Sequence, residues 1–212
     1  MSVCSTKAFT CQLAVLSLLT LKLARLGPMD KNRGKAFLNE LITIPELIKT
    51  ILNQKEKIQE IAKKYASFSN FFFLGRQYMF YSSIEAALKL KEISYLNANG
   101  YPAGELKHGP IALIDPHYVI VGLCGNALTY DKMLSNLTEV KARGGRVIAF
   151  VPEKAKDISQ IADHILWMPR VSDSLASLLY GTSCQLFAYF IAKELGLEID
   201  RPRNLAKSVT VE

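Results

Sequence analysis

The sequence predicts an α/β domain with a mostly parallel sheet flanked by helices. Short apolar runs rich in β-branched or aromatic residues, at 71–74, 118–123, 146–151 and 164–168, alternate with helix-like stretches of ten residues or more. Three of these runs stop at Gly75, Pro152 or Pro169. Continuous apolar runs are the pattern of strands covered on both faces, and their alternation with helices is the pattern of parallel sheets.

The chain has 212 residues, half of them apolar, with a mean hydropathy of +0.14. That is enough for one large domain or two small ones, with ordinary charged and aromatic fractions and no low-complexity run. The net charge of +7 is spread over several helices with acids between, as at Lys55, Glu56, Lys57 and Glu60. No nucleic-acid motif accompanies it, so the basic balance fits anionic small molecules better than nucleic acid. Cys4, Cys11, Cys124 and Cys184 form no C-x-x-C pair and have no paired histidines nearby. A cytoplasmic protein with free thiols and no metal site is the expectation.

The first element is an apolar helix over 8–26, closed by Gly27-Pro28. Lys7 ahead of it suggests a signal peptide, but Gln12, Lys22 and Arg25 interrupt the apolar run and no small-x-small site follows. A buried helix, not a membrane or export segment, is therefore expected. After a polar stretch at 29–34, Pro45 is read as opening a helix. Leu47, Ile48, Ile51, Leu52, Ile58, Ile61, Ala62 and Tyr65 recur at helical spacing, giving one or two amphipathic connector helices. The strand at 71–74 hands over at Gly75 to a helix at 79–97, followed by a Gly/Pro-rich loop at 100–110. Then come the strand at 118–123, a helix at 129–143 stopped by Gly144-Gly145, the strands at 146–151 and 164–168, and a buried helix at 174–195. In such sheets ligands are expected where loops leave the carboxyl ends of the strands.

Three places carry candidate chemistry. On the helix at 79–97, Glu85, Lys89 and Glu92 fall within about a 60° arc at 100° per residue. One reading is a solvated face with pairs worth ~0.2–0.5 kcal/mol each; the other is a carboxylate held beside a lysine as a general base. In the turned loop at 101–110, His108 stands with Glu105 and Lys107, either merely exposed or presented to a cleft as a proton carrier. The tail at 200–212 is either structural or brings Lys207 to a carbonyl, which requires a depressed amine pKa. Arg201 and Arg203 would supply the charge for that, or bind phosphate. Ser5 and Thr6, ahead of the first helix, fit an N-cap or a polar ligand contact.

Four motifs in order, S-T-K-A-F-T at 5–10, E-A-A-L-K-L-K-E-I-S-Y at 85–95, A-G-E-L-K-H-G-P at 103–110 and R-P-R-N-L-A-K-S-V-T-V-E at 201–212, resemble the glutamine:fructose-6-phosphate aminotransferase family nearly throughout the chain. The resemblance implies a three-layer fold of the sugar isomerase (SIS) type. Residues 1–66 would be a helical remnant of a first SIS subdomain plus connector, 67–199 the second subdomain, and 200–212 a catalytic tail. It implies that Glu92 moves a proton between C1 and C2 of the sugar, with Lys89 and Glu85 beside it. His108 would open the sugar ring from across a homodimer interface, Lys207 would form the Schiff base, and Val3, Ser5 and Ala206 would contact the sugar. The implied partner is a sugar phosphate, with no cofactor, nucleic acid or membrane. The chain departs from the family in lacking a glutaminase segment and, within 1–68, any Ser/Thr-rich phosphate loop, so a truncated product or fragment is expected. Gln77 also stands near a point where the family often has glycine. The alternatives are a non-catalytic SIS module that binds a sugar phosphate, or a structural piece that only dimerises.

Overall fold

The computed structural model describes residues 3–155 and 157–206. Strands β1 (Asn70–Gly75), β2 (Asn97–Pro102), β3 (Tyr118–Leu123), β4 (Arg146–Pro152) and β5 (His164–Met168) form one sheet in the order β2-β1-β3-β4-β5, every neighbouring pair parallel. The helices are α1 (Lys7–Leu26), α2 (Lys31–Leu52), α3 (Lys55–Tyr65), α4 (Tyr78–Ser94), α5 (Tyr130–Lys141) and α6 (Ala176–Glu194). Because side chains alternate along a strand, β1 feeds two cores. Phe71 and Phe73 join Ile58, Leu90 and Phe187 from α3, α4 and α6, whereas Phe72 and Leu74 join Leu106, Met133 and Leu137 on the other side. The three layers expected from the sequence are present, with α2 and α3 contributing Ile44, Ile51, Ile58 and Ile61 to the same core as α4 and α6.

The turn from β1 into α4 is tight. A Cβ on Gly75 would lie 2.1 Å from the carbonyl oxygen of Met79, so glycine is required for that close approach. Gln77 follows with φ +49° and ψ −121°, a backbone region that glycine enters freely and other residues enter at a cost.

Four sequence expectations need correction. The helix over 8–26 forms, but none of its residues is buried; Val15, Leu16, Leu19 and Leu23 face outward. Phe9 packs at Gly181 and Leu13 on the main core, so one side of α1 rests on the domain. An all-round apolar helix does not announce which side is covered. It is long and apolar enough to cross a membrane by length and composition. The polar stretch at 29–34 is mostly helix: Asp30 accepts the N–H groups of Asn32 (2.8 Å) and Arg33 (3.0 Å) and caps α2, leaving Pro45 in the interior and not at the start. The helix at 79–97 ends at Ser94, because Tyr95 turns left-handed at φ +62°. Part of the supposed Gly/Pro-rich loop is strand β2, whose N-A-N-G-Y-P sequence has little strand propensity and is held by pairing with β1. Gly100 lets α4 approach: a Cβ there would meet Ile84 Cα at 2.7 Å.

Candidate active site

The stripe on α4 is not a solvated face. Lys89 is 4% exposed, and its Nζ lies 2.8 Å from Glu92 Oε2 and 3.5 Å from Glu85 Oε1. The two carboxylates are 22% and 17% exposed, so the ammonium is enclosed between two partly wetted anions. A buried ammonium is tolerated only with such compensation. Burial pulls the Lys89 pKa down, but the hydrogen bond it donates to Glu92 and the neighbouring charges outweigh it and hold it above the ordinary lysine value. Burial also raises Glu85 above the usual carboxylate range, against the pull of Lys89.

A fourth member joins from the start of the chain. The Cys4 thiol donates to Glu92 Oε2 at 3.0 Å, and burial followed by that hydrogen bond pushes its pKa up to about 12. Cys4 is thus a neutral donor. Lys89 and Cys4 both hold Oε2, and Oε1 of Glu92 takes no hydrogen bond from any described residue. An orientated carboxylate with one open oxygen is the geometry of a general base.

Two segments near the chain ends, 3–6 and 200–206, meet beside this cluster. The Val3 N–H donates to the Asp200 carbonyl (3.3 Å), and the Arg203 N–H donates to the Tyr95 hydroxyl (2.7 Å) while its guanidinium lies 4.2 Å above the Tyr95 ring. Arg203 is therefore engaged with the end of α4. A cavity of about 160 Å³ opens here, lined by Cys4, Thr6, Lys89, Gln185, Tyr189 and Asp200 among others. Val3 is half-buried, and Ser5 and Ala206 are exposed in these same two segments. Thr6, not Ser5, occupies the N-cap position of α1, without a side-chain capping bond. Lys207 lies outside the described residues.

His108 is not brought to the cluster. Its segment follows β2 as a 3-10 turn and packs through Ala103 and Leu106 into the core on the opposite face of the sheet from α4. The imidazole is 75% exposed, with the Glu105 carboxylate 3.9 Å away. Among the described residues no group of three or more His, Cys, Asp or Glu is placed to hold a metal ion. The sequence reading missed Cys4 and Tyr95, although both sit in or beside the motifs it used. Cys4 adjoins Ser5, and Tyr95 closes the α4 motif.

The cluster also lies away from the carboxyl ends of the strands. Helix α4 leaves β1 at that edge and runs back, and the Asn97 N–H just beyond its end donates to the Ser69 carbonyl at the amino edge (3.0 Å). Glu92 stands in the last turn of α4.

A parallel sheet between helices, with a buried acid–base cluster on the helix after the first strand, defines a class that the family comparison names. Residues 64–192 match the SIS domain model, and the chain belongs to that family. The glutamine–fructose-6-phosphate aminotransferase (isomerizing) of Bacteroides thetaiotaomicron is 47% identical over 211 residues, covering 99% of this chain and 34% of that protein. The protein of the same name from Methanosarcina acetivorans is 48% identical over 214 residues, with the same two shares. The chain thus spans about a third of the length of these relatives. The C-terminal domain of glucosamine-fructose-6-phosphate aminotransferase from Francisella tularensis superimposes with a TM-score of 0.89 at 37% identity, over 95% of this chain and 58% of that one.

Proposed function

We propose that this chain carries the isomerase chemistry of an enzyme that makes glucosamine 6-phosphate from fructose 6-phosphate and glutamine-derived ammonia. The observation that carries this is the Glu92 carboxylate, held at Oε2 by Lys89 and Cys4, with Oε1 bonded to no described residue, beside the junction of the segments 3–6 and 200–206. In this reading the Lys207 amine adds to the C2 carbonyl of the open-chain ketose and water leaves, giving an imine. Ammonia displaces the lysine, and Glu92 then removes a proton from C1 and returns it to C2, giving the amino aldose. Val3, Ser5 and Ala206 flank the sugar from the two segments that meet at the cluster, and Lys207 follows Ala206 directly. Lys89 fixes the orientation of Glu92 and balances its charge, and Glu85 holds Lys89 from the other side. Residues 1–66 serve as connector and helical remnant of a first SIS subdomain, 67–199 as the second subdomain, and 200–212 as the catalytic tail.

His108 acts in this reading from a second copy of the chain to open the sugar ring. Its position across the sheet from Glu92 supports donation between subunits. So does the outward face of α4, where Tyr78, Tyr81, Ile84 and Leu88 form an exposed apolar stripe at helical spacing. The test is borohydride trapping with fructose 6-phosphate followed by peptide mass analysis, for the wild type and Lys207→Ala. A sugar adduct confined to Lys207 supports the reading. A folded wild-type sample that gives no adduct rules it out for this chain and favours a sugar-phosphate-binding module without chemistry.

A further inference from the structure

A larger cavity lies at the other edge of the sheet, where the loops leave the carboxyl ends of β3, β4 and β5. It measures about 440 Å³ and takes no part in the chemistry above. Its floor carries Gly125 and the ring of Tyr180. A Cβ on Gly125 would sit 2.8–2.9 Å from that ring, so the glycine is what brings the phenol up to the floor. Tyr180 is 1% exposed, and its hydroxyl has no hydrogen-bond partner among the described residues. A buried hydroxyl left unpaired costs free energy that a bound polar group would recover.

The rim is charged with both signs. Lys154, Arg170, Asp131 and Asp157 line the cavity, and none of them is ion-paired with a described residue. Arg170 uses only Nε, which donates to the Glu153 carbonyl at 2.7 Å, leaving the two terminal guanidinium nitrogens. Asp173, also in the lining, is by contrast committed: it accepts the Ala127 N–H (2.9 Å) and the Asn126 side chain (3.0 Å) and so fixes the loop after β3. A site with cations and carboxylates not ion-paired to any described residue, and a buried phenol, suits a small ligand bearing an anion, an ammonium and hydroxyls. Its volume is in the range of small-molecule pockets.

We infer that this carboxyl-edge cavity is a second ligand site, taking a phosphorylated amino sugar, with the phosphate on Lys154 and Arg170, the ammonium on Asp131 or Asp157, and a hydroxyl on Tyr180. That ligand class is also the product of the reaction proposed above, and a product-sensing role for the cavity rests on that reading. The test is a backbone-amide NMR titration of the whole chain with glucosamine 6-phosphate, fructose 6-phosphate and inorganic phosphate, using wild type, Lys154→Ala/Arg170→Ala and Tyr180→Phe. Glucosamine 6-phosphate is expected to shift the Gly125 and Ala127 amides, with binding there about tenfold or more weaker in the double variant, whose two residues are exposed. Tyr180→Phe is expected to weaken binding less and to leave the fold intact. Unmoved cavity amides at saturating ligand, or a double variant that binds like wild type, overturn the inference. Inorganic phosphate or fructose 6-phosphate binding as tightly overturns the amino-sugar assignment. Shifts at Cys4 and Glu92 report the active-site reading separately, so either site can fail alone.

Discussion

Replacing Lys89 by methionine isolates the electrostatic design of the α4 cluster. At an effective dielectric of about 20, ion pairs of the lengths seen here, 2.8 and 3.5 Å, are worth ~6 and ~5 kcal/mol before desolvation. Removing water from a 4% exposed ammonium cancels most of that, so the cluster adds little net stability as a unit. Breaking it is different, because two carboxylates are left facing each other without a cation. Fully buried pairs cost about 3–5 kcal/mol when halved. The carboxylates keep some contact with water, so ~2–4 kcal/mol is expected for Lys89→Met. Urea unfolding at pH 7, followed by circular dichroism, measures it. Adding Glu85→Gln and Glu92→Gln to the same chain removes the stranded charges and is expected to recover half the loss or more. Lowering the pH to about 5 is expected to narrow the gap between Lys89→Met and wild type. In the variant Glu85, already held above the usual carboxylate range by burial, loses the downward pull of Lys89, so the folded state gains stability as it binds a proton. A loss under ~0.5 kcal/mol, the range of neutral surface changes, or a triple variant less stable than the single one, would refute this account.

Four further outcomes are expected. In the folded chain only Cys11 is exposed among the four cysteines, so a thiol reagent should titrate one fast group, and two or more fast groups would contradict the burial of Cys4, Cys124 and Cys184. Burial holds Cys4 and Cys124 at about 12, above the ordinary 9.0, and Lys89 is also held above its ordinary value. The folded state therefore keeps protons that the unfolded chain releases, and thermal stability should fall as pH rises from about 9 toward 12; a flat profile between pH 8 and 10.5 would count against it. Gln77→Gly should relieve a strained backbone worth ~1–3 kcal/mol, less about 0.5–1 for the freer unfolded glycine, and so raise Tm by a few degrees; a lower Tm would show that the 3.2 Å bond from Asn126 to Gln77 matters more. Mixing His108→Ala with Glu92→Gln chains, each inactive alone, should restore about a quarter of the wild-type C1 proton exchange if the histidine is donated within a two-fold dimer; no recovery would place His108 in the same subunit as the Glu92 it serves, and an active His108→Ala parent would place it outside the reaction.

Much of the fold was readable because parallel strands declare themselves. The residues at 118–123 and 164–168 were found at their observed bounds, since a β-branched or aromatic run between turn residues has few other uses. Strand β2 was not readable: its asparagines, glycine and proline are strand-like only because β1 supplies the hydrogen bonds. The start of α2 was signalled by Asp30, but the polar residues after it masked the cap. In the site, Glu85, Lys89 and Glu92 could be placed on one helical face from spacing alone, but not whether that face was wet or buried. That depends on Cys4 and the tail, which lie far away in sequence and reach α4 only through the tertiary fold. The proline read as an opening signal at Pro45 shows the converse, a strong local cue overruled by a helix already capped fifteen residues earlier.

The placement of the two cavities follows from how the helices run. Helix α4 has 17 residues, about 25 Å at 1.5 Å per residue, and carries Lys89 and Glu92 near the far end from β1. The Lys89 cluster therefore lies away from the loops that usually hold ligands in such sheets, and Cys4 and Asp200, from segments near the two chain ends, lie beside it instead. That leaves the carboxyl edge available to a different ligand. The two regions remain physically joined. Asn126, fixed by Asp173 in the cavity lining, accepts the Met79 N–H at the start of α4 (3.3 Å). On α6, Tyr180 lies on the floor of the larger cavity, while Gln185 and Tyr189, about 8 and 14 Å further along the helix, line the smaller one. A ligand that fixes the loop after β3 thus acts on the first turn of α4, and one that engages Tyr180 acts on α6. These two helices frame Lys89 and reach both cavities.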